Sequence, residues 1–444
     1  MELADGSRVA VIGGGPAGSF ASYFLLEIAG RVGLELEVDI YEPKQFDKLG
    51  PGGCNHCGGI VSESLVQHLA TEGINLPETI VQRGIESYVL HTDVATVRID
   101  TPVREKRIAA VHRGGGPLGA ANRTASFDLH LLELAQKRGA RLIPARVDGL
   151  ALENGFPLVS AKGLEPKRYD LVVGAVGVNT TALKLFEALG IGFSAPKTTK
   201  TYIAEFHYGR EALRECLGDA MHVFLVDMPR VEFAALIPKG EFATLVLLGD
   251  DIDKALVERF LALPEVRECL PRGTDTPQAT CHCIPRINLG ATGALFADRV
   301  VVIGDSGVSR LYKDGIGAAY RTAKACANVA VLDGVSAHDF EKWYLPTCRS
   351  LAGDNALGRL VFMSVTIFRR IRFMRRGMVR MVAREQREAR RPMSTVLWDT
   401  FTGSAPYREI LLRCMTPAFI YGLVRETVAG LFTPTAKPRG ELAS

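Results

Sequence analysis

The first residues of the chain alternate between apolar runs and glycine-rich turns. An apolar run at 9–12 leads into glycines, and a helix-compatible segment at 19–29 follows. A second strand-like run, 36–41, ends on the acid Glu42. Short apolar runs bounded by glycine are typical of strands buried on both faces of a parallel sheet. The pattern predicts a β–α–β unit at the start of the chain.

The turn of this unit has the spacing Gly-x-Gly-x-x-Gly. The first glycine permits a tight turn, the second lets the backbone approach a pyrophosphate, and the third lets the helix pack closely on the strand. The helix start directs free N–H groups and a positive dipole toward phosphates, and the terminal acid is placed to bind a ribose diol. The nucleotide-binding residues predicted here are Gly13, Gly15, Pro16, Ala17, Gly18 and Glu42.

A similar pattern recurs much later in the chain. The strand-like run 299–303 ends in Gly304-Asp305, and a glycine-rich helix start follows at Gly315, Ile316 and Gly317. A generic turn with an aspartate at the helix start is the alternative interpretation. Two distant nucleotide-type motifs argue against a simple nicotinamide-dependent dehydrogenase.

The two motifs together resemble the flavoprotein family that includes p-hydroxybenzoate hydroxylase and geranylgeranyl reductase. The resemblance covers residues 8–335 and implies FAD as the cofactor. It implies that the first motif holds the adenine half and that Asp305, after Gly304, accepts a ribityl hydroxyl. It also implies that the N–H groups of Gly315, Ile316 and Gly317 stabilise negative charge on the reduced flavin.

Two segments in the middle of the chain are similar to the same family. Arg123, before the segment 127–140, matches an arginine that lies against the cofactor in relatives. The segment 169–177 resembles a strand ending in Ala-Asp-Gly, but Val176 stands in place of the aspartate. Direct use of NADPH is therefore not implied, and the external electron donor is left open between NAD(P)H, ferredoxin and another donor. We interpret the glycine-rich run 113–117 as a flexible surface loop, with a phosphate-binding segment that supports the cofactor as the alternative.

The segment 51–60 resembles the Cys-Gly-Gly loop of geranylgeranyl reductases, which implies that Gly58 and Gly59 lie beside the flavin. The segment 233–240 partly matches that branch, with Ala235 and Ile237 replacing bulkier aromatic residues. The resemblance implies hydride transfer from reduced FAD to an apolar, isoprenoid-like alkene. An FAD-dependent monooxygenase and a flavin–thiol electron-transfer or redox-sensing protein are the alternatives. The Trp-x-Trp-x-Ile-Pro motif of flavin halogenases is absent from the sequence.

Four cysteines could add chemistry. Cys54 and Cys57 have CxxC spacing, and Cys281 and Cys283 form a second pair. They are interpreted as small buried thiols, with a redox dithiol and a four-thiolate metal site as alternatives. His56 and Cys57 are the catalytic candidates, and no metal is predicted.

Composition limits the remaining function classes. The net charge of +4 over 444 residues is too small to indicate nucleic-acid binding. Nine cysteines is an odd number, no apolar run approaches 18 residues, and no signal-peptide pattern precedes the first strand. A cytoplasmic location without a membrane-spanning helix is expected.

The last third of the chain lacks nucleotide motifs. Apolar residues at helical spacing within 357–381 predict one stripe that packs on the core. Arg369, Arg372, Arg376 and Arg380 fall on the opposite face. That face is interpreted as solvated, or as the contact of a peripheral protein with anionic lipid.

The predicted fold class is α/β. We expect a doubly wound, Rossmann-like FAD-binding domain, an inserted mixed β-sheet substrate domain and a helical C-terminal extension. The FAD-binding domain would comprise 1–79, 110–195 and 290–335, the substrate domain 80–109 and 196–289, and the extension 336–444.

Overall fold

A computed structural model describes residues 1–101, 108–273, 277–290, 292–388 and 390–432. Parts of the predicted segments 80–109, 196–289, 290–335 and 336–444 therefore lie outside the described residues. The strands are β1 Ser7–Ile12, β2 Leu36–Tyr41, β3 Ile60–Val61, β4 Val81–Ile85, β5 Ser87–His91, β6 Thr96–Asp100, β7 Ile108–Val111, β8 Arg141–Ile143, β9 Val147–Glu153, β10 Phe156–Ala161, β11 Lys167–Arg168, β12 Leu171–Gly174, β13 Thr198–Lys200, β14 Tyr202–His207, β15 Ala220–Phe224, β16 Val231–Lys239, β17 Phe242–Gly249, β18 Cys281–Cys283, β19 Arg286–Asn288, β20 Phe296–Ala297 and β21 Val300–Val302. The helices are α1 Pro16–Arg31, α2 Glu63–Thr71, α3 Phe127–Lys137, α4 Leu183–Ala188, α5 Arg210–Cys216, α6 Lys254–Leu261, α7 Pro264–Arg267, α8 Gly315–Leu332, α9 Ala337–Asp339, α10 Leu345–Arg370, α11 Arg372–Glu385, α12 Pro392–Thr402, α13 Tyr407–Cys414 and α14 Pro417–Phe432.

The chain divides into two compact units, each built from three separate segments. Unit 1 comprises Met1–Cys57, His112–Thr199 and Pro285–Asn355. Unit 2 comprises Gly58–Val111, Lys200–Ile284 and Ala356–Ser444. The chain therefore passes between the units several times.

Unit 1 is organised around a six-stranded sheet with the order β20-β21-β12-β1-β2-β8. Its strands are parallel apart from the pairing of β20 with β21. On one face α1 packs closely against β1, where the Cβ position of Gly18 lies 3.1 Å from Val11 Cγ1. The other face packs on the antiparallel β9–β11 meander and α4. Parallel strands covered on both faces explain the continuous apolar runs.

Unit 2 contains a seven-stranded mixed sheet with the order β18-β14-β17-β16-β15-β5-β6, and a small β3-β7-β4 sheet. Helices α5, α6 and α7 pack on one face of the large sheet around a core that includes Phe206, Phe224 and Phe260. Elsewhere the rings of Trp398 and Tyr88 pack edge to face with centroids 4.8 Å apart. The predicted α/β class, with a Rossmann-like parallel sheet, a mixed sheet and C-terminal helices, is confirmed.

The predicted single amphipathic stripe in the C-terminal third is confirmed at Val361, Met378 and Met381, which are buried, and is wrong at other positions. Ile371 adopts an extended conformation (φ −101°, ψ 106°) and separates α10 from α11. Leu360 and Ile367, assigned to the core-facing stripe, are exposed, whereas Arg369, assigned to the free basic face, is buried. Arg369 lies 3.9 Å from Glu232, and Arg380 lies 3.4 Å from Glu426. Acidic partners distant in sequence thus bind these two arginines.

Within the described residues, one helical stretch, Ala337–Arg370, is long and apolar enough to cross a membrane by length and composition. Only 28% of its most apolar 18-residue window is buried. A single stretch of this kind is weak evidence for a membrane span.

Candidate functional site

The turn after β1 has the geometry that its three glycines require. Gly13 has a positive φ of 106°, a conformation that favours glycine. A Cβ at Gly18 would collide with the carbonyl oxygen of Gly13, so any side chain there would push α1 off β1. These two glycines are needed by the fold itself.

Gly15 is different because its surroundings are open. Among the described residues, a Cβ built on Gly15 would meet only one group within 4 Å, the Asn55 Nδ2 at 3.4 Å. Gly15 also stands immediately before the first turn of α1, whose N–H groups have no acceptor within the helix. The space above Gly15 can therefore receive an anionic group.

The carboxylate of Glu42 lies at the end of β2 and touches the same turn. Its Oε2 accepts a hydrogen bond from the Gly14 N–H at 2.8 Å, and its Oε1 accepts one from the Lys44 N–H at 2.8 Å. Burial raises the pKa of Glu42, and the two backbone donors oppose that shift. Each carboxylate oxygen has a second lone pair with which to accept a ribose hydroxyl.

The structure brings the second motif against the first. Strands β1 and β21 flank β12, so the three carboxyl ends lie at one edge of the sheet. A Cβ at Gly304 would lie only 2.7 Å from the Cβ of Ala17 in the first turn of α1. The two motifs, remote in sequence, therefore form one continuous cradle at the carboxyl edge, where open α/β sheets bind ligands.

Asp305 supplies a buried oxygen that lacks a partner. Its Oδ1 has no hydrogen-bond partner among the described residues. Asn288 Nδ2 donates to the Asp305 carbonyl at 2.8 Å and fixes the loop. Burial raises the pKa of the Asp305 carboxyl, opposed by a hydrogen bond with Ser309 and by the charge of Arg113. A buried acceptor of this kind is costly unless a ligand hydroxyl satisfies it.

The start of α8 is a strained turn. Tyr312 and Asp314 both have positive φ, at 59° and 53°, which is uncommon for residues other than glycine. Asp314 Oδ1 accepts the Gly317 N–H at 3.2 Å. The amides of Gly315 and Ile316 occupy the remaining first-turn positions, where a helix has no internal acceptor. Gly317 is thus engaged within the protein, and Gly315 and Ile316 are better placed to meet a ligand.

A buried ion pair supports the loop over Gly15, and sequence analysis missed it. Asp128, in the first turn of α3, is fully buried and accepts from Arg113 Nη2 at 2.9 Å and from Asn55 Nδ2. Lys44 Nζ in turn donates to Asn55 Oδ1 at 3.1 Å. The signal available in the sequence was Asp128 within the segment 127–140 that matches the flavoprotein family.

The interpretation of 113–117 as a flexible surface loop is wrong, since all five residues are buried. A Cβ at Gly114 would meet the backbone of Gly53 and Cys54 within 3 Å, so the glycines permit close packing of two segments. Arg123, the arginine predicted to contact the cofactor, lies exposed and pairs with Asp47 at 3.0 Å. Arg113 is the buried arginine of this region.

His56 and Cys57 follow Asn55 at the end of this segment of unit 1. His56 has a positive φ of 50°, and its N–H donates to Cys54 Sγ at 3.3 Å. Burial, with the charges of Lys44 and Arg113, lowers the pKa of His56 below 6.5. The imidazole is therefore neutral at pH 7. The cysteines of the chain, all within described residues, form no disulfide.

Gly58 and Gly59 begin the first segment of unit 2. A Cβ at Gly58 would lie 3.0 Å from Val246 Cγ2 and 3.7 Å from Ile237 Cδ1. A Cβ at Gly59 would lie 2.9 Å from Nζ of the buried Lys239. The two glycines let this loop lie directly on the β16–β17 hairpin. Cys281 and Cys283, on β18, also belong to unit 2, whereas Cys54 and Cys57 belong to unit 1.

A second polar cluster, His91, His222 and Cys269, is buried in unit 2, with ligand atoms within 4.8 Å of one another. His222 Nε2 lies 3.2 Å from the Leu217 carbonyl, which can only accept, so His222 carries its hydrogen there. His222 Nδ1 then accepts from His91 Nε2 at 2.9 Å. Cys269 Sγ donates to the Glu265 carbonyl at 3.3 Å. Hydrogen bonds within the protein thus account for this cluster.

No family model and no curated protein matches the chain. Solved structures do match it, and those described as a flavoprotein/dehydrogenase and a flavin-dependent brominase are among them. A geranylgeranyl bacteriochlorophyll reductase-like protein from Thermoplasma acidophilum superposes with a TM-score of 0.64 at 14% identity, over 96% of this chain and 100% of that one. A flavoprotein/dehydrogenase from Cytophaga hutchinsonii gives 0.63 at 13%, over 96% and 98%.

The halogenase PltM, in complex with phloroglucinol and FAD, gives a TM-score of 0.60 at 11% identity, over 96% of this chain and 91% of that one. At these identities the likeness establishes the fold. The flavoprotein fold expected from the glycine motifs is confirmed.

Proposed function

We propose that the protein is an FAD-dependent oxidoreductase that reduces an alkene in an apolar, isoprenoid-like substrate. The observation that carries the proposal is the single cradle formed where Gly304 meets Ala17, with the partnerless Asp305 Oδ1 beside it. The likeness to flavoproteins over almost the whole chain supports it.

The residues present fit FAD. Gly15 and the first turn of α1 would receive the pyrophosphate, Glu42 the adenosine ribose, and Asp305 Oδ1 a ribityl hydroxyl. The amides of Gly315 and Ile316 would stabilise negative charge on the flavin ring. When bound, FAD supplies the hydride, and the protein contributes binding and orientation.

The proton needed to complete alkene reduction has two nearby candidates, His56 and Cys57. The lowered pKa of His56 makes its imidazole a poor proton donor at neutral pH. The S–H of Cys57 is then the better candidate donor. The Cys57→Ser variant should retain FAD and reduce the alkene more slowly. The His56→Gln variant should reduce the alkene at a rate closer to that of the wild-type protein.

An apolar substrate is favoured by the character of the large sheet in unit 2. Every residue of β15 and β17 is buried, and the two side chains nearest Gly58, Ile237 of β16 and Val246 of β17, are aliphatic. Such strands offer dispersion contacts and few polar partners, which suits a hydrocarbon chain. The donor that reduces the flavin, whether NAD(P)H, ferredoxin or another, is supplied from outside the chain.

The test is an anaerobic single turnover. Protein holding FAD is reduced with dithionite and mixed with geranylgeranyl diphosphate, and the product is examined by mass spectrometry. The proposal predicts flavin reoxidation and a product heavier by two hydrogen atoms. Reoxidation only with oxygen, together with a hydroxylated product, would establish the monooxygenase alternative. Reduction of the oxidised flavin by thiols of the protein, with disulfide formation and no turnover of the organic substrate, would establish the flavin–thiol alternative.

A further inference from the structure

Helix α14 has one packed face and one exposed face. One face packs on α11, where the Cβ positions of Gly422 and Gly430 lie 2.8 Å from Met381 Cε and 3.5 Å from Arg380 Cδ. Small residues there let the two helices approach closely. Phe419 and Glu426 are buried on the same face. This face accounts for the position of α14 in unit 2.

The opposite face of α14 is apolar and exposed. At 100° per residue, its members fall about 180° from the packed face. They are Ile420, Tyr421, Val424, Val428, Leu431 and Phe432. We call these six residues the outer face of α14. Tyr421 is 69% and Phe432 83% exposed, so solvent reaches most of their surface. An outward face of this composition marks an interaction surface.

Helix α10 has a similar exposed stripe within unit 2. Leu360, Met363 and Ile367, at i, i+3 and i+7, are each at least 44% exposed. The face opposite them holds the buried Arg369 and Phe362, whose ring packs on Tyr407 with centroids 6.0 Å apart. Of the twenty large apolar side chains that are exposed within the described residues, twelve lie between 360 and 432. The exposed apolar surface is thus concentrated in the C-terminal helices.

The same region is strongly basic. Residues 355–432 contain fourteen arginines, no lysine and five acidic residues, within a chain of net charge +4. Several of these arginines pair with acids inside unit 2, as Arg375 does with Asp93. Arg370 and Arg372 are exposed at the junction of α10 and α11. The region therefore combines exposed apolar side chains with exposed positive charge.

We propose that the outer face of α14 and the exposed stripe of α10 dock the protein on an anionic lipid surface. Apolar side chains would enter the boundary between headgroups and acyl chains, and the exposed arginines would meet acidic headgroups. The inference is independent of the proposed reaction, because it uses no residue of the FAD cradle.

Charge argues against two other occupants. A second copy of the chain would bring an identical excess of arginine to the interface, and like charges would oppose association. The segment 433–444 contains one large apolar residue, Leu442, which is too little to cover the six residues of the outer face of α14. An anionic bilayer complements both the exposed apolar side chains and the exposed arginines of this surface.

The test is flotation of the full chain with vesicles at low salt. Vesicles of phosphatidylcholine containing one-third phosphatidylglycerol should carry the protein, and vesicles of phosphatidylcholine alone should carry much less. Changing Ile420, Val424 and Val428 together to serine should weaken partitioning roughly tenfold or more. The matched control changes Val32, Leu152 and Leu164, exposed apolar residues of unit 1, to serine and should have no effect.

A charge variant tests the contribution of the exposed arginines. Arg370→Gln with Arg372→Gln should weaken binding roughly fivefold for each arginine at low salt and much less at high salt. Arg259→Gln with Arg272→Gln, at exposed positions elsewhere in unit 2, should leave binding unchanged.

Three results would overturn the proposal. One is the absence of flotation with anionic vesicles. Another is flotation that appears only when the chain ends at Phe432, which would identify 433–444 as the occupant. The third is a dimer that the serine variant dissociates, which would identify a second copy. Flavin content, measured in parallel from absorbance, would separate any of these from failure of the FAD site.

Discussion

The carboxylate of Asp128 is fully buried, and Arg113 is the cation that compensates its charge. Arg113, itself 8% exposed, donates to it, and Asn55 donates to the same carboxylate. A buried charge that loses its partner is strongly destabilising because it cannot be rehydrated in place. At the scale of single residues, this pair holds the loop above Gly15.

Arg113→Met should therefore lower the free energy of unfolding by about 3–5 kcal/mol and reduce FAD content. Arg123→Met is the matched control, because Arg123 forms an exposed pair with Asp47, and its loss should cost about 1 kcal/mol or less. Urea unfolding followed by circular dichroism measures both. Equal losses in the two variants would contradict the assigned roles.

Sequence patterns could identify Gly13 and Gly18 because each of these glycines meets a local backbone requirement. Gly13 needs a positive φ, and Gly18 needs contact with the strand next to it. Arg113 could not be identified in the same way. Its neighbouring glycines look like a loop, and they are buried only because the segment 47–54, remote in sequence, packs on them.

At the scale of elements, strand register positions the buried histidines. Parallel pairing of β5 with β15 sets His222 opposite Val89, and His91 lies two residues further along the same face. The two rings meet within hydrogen-bond distance. Burial lowers the pKa of His91 to about 3, helped by His222, and lowers that of His222 to about 4. Both rings are neutral in the folded protein at pH 7.

This pair predicts a loss of stability in acid. Below pH 6.5 the unfolded chain binds protons that the folded chain does not. The free energy of unfolding therefore decreases as the pH is lowered, down to about pH 4 for His222 and about pH 3 for His91. The slope is at most about 1.4 kcal/mol per pH unit for each histidine. Urea unfolding at pH 7, 6 and 5 should show a shallower slope for His222→Phe and an unchanged slope for His68→Asn, a variant of an exposed histidine. Parallel slopes in all three proteins would show that these histidines are not responsible.

In the C-terminal helices, periodicity alone could not give the orientation of every residue. Met378 and Met381 are buried as predicted, but the burial of Arg369 and Arg375 depends on partners outside the helix. Asp93, Glu232 and Glu426 pair with arginines of α10 and α11 and draw them inward. No pattern within 355–391 encodes those partners.

At the scale of the whole molecule, each unit is assembled from three separate segments. The glycine motifs at 13–18 and 304–317 could be located from the sequence, and both lie in unit 1. The sequence had no comparable marker for the helices after 355, most of which belong to unit 2. The central proposal is that the two motifs, which meet in unit 1, hold one FAD.

The most direct test is calorimetric titration of protein stripped of its flavin with FAD and, separately, with NAD. We predict one FAD per chain, about 10-fold to 100-fold weaker binding for Asp305→Ala, and none for Gly15→Val. Because the space at Gly15 is open, that variant should keep its unfolding free energy. Asp148→Ala, at an exposed position of unit 1, should bind FAD normally. Stoichiometric binding of NAD in preference to FAD, or FAD affinity unchanged in both cradle variants, would contradict the account.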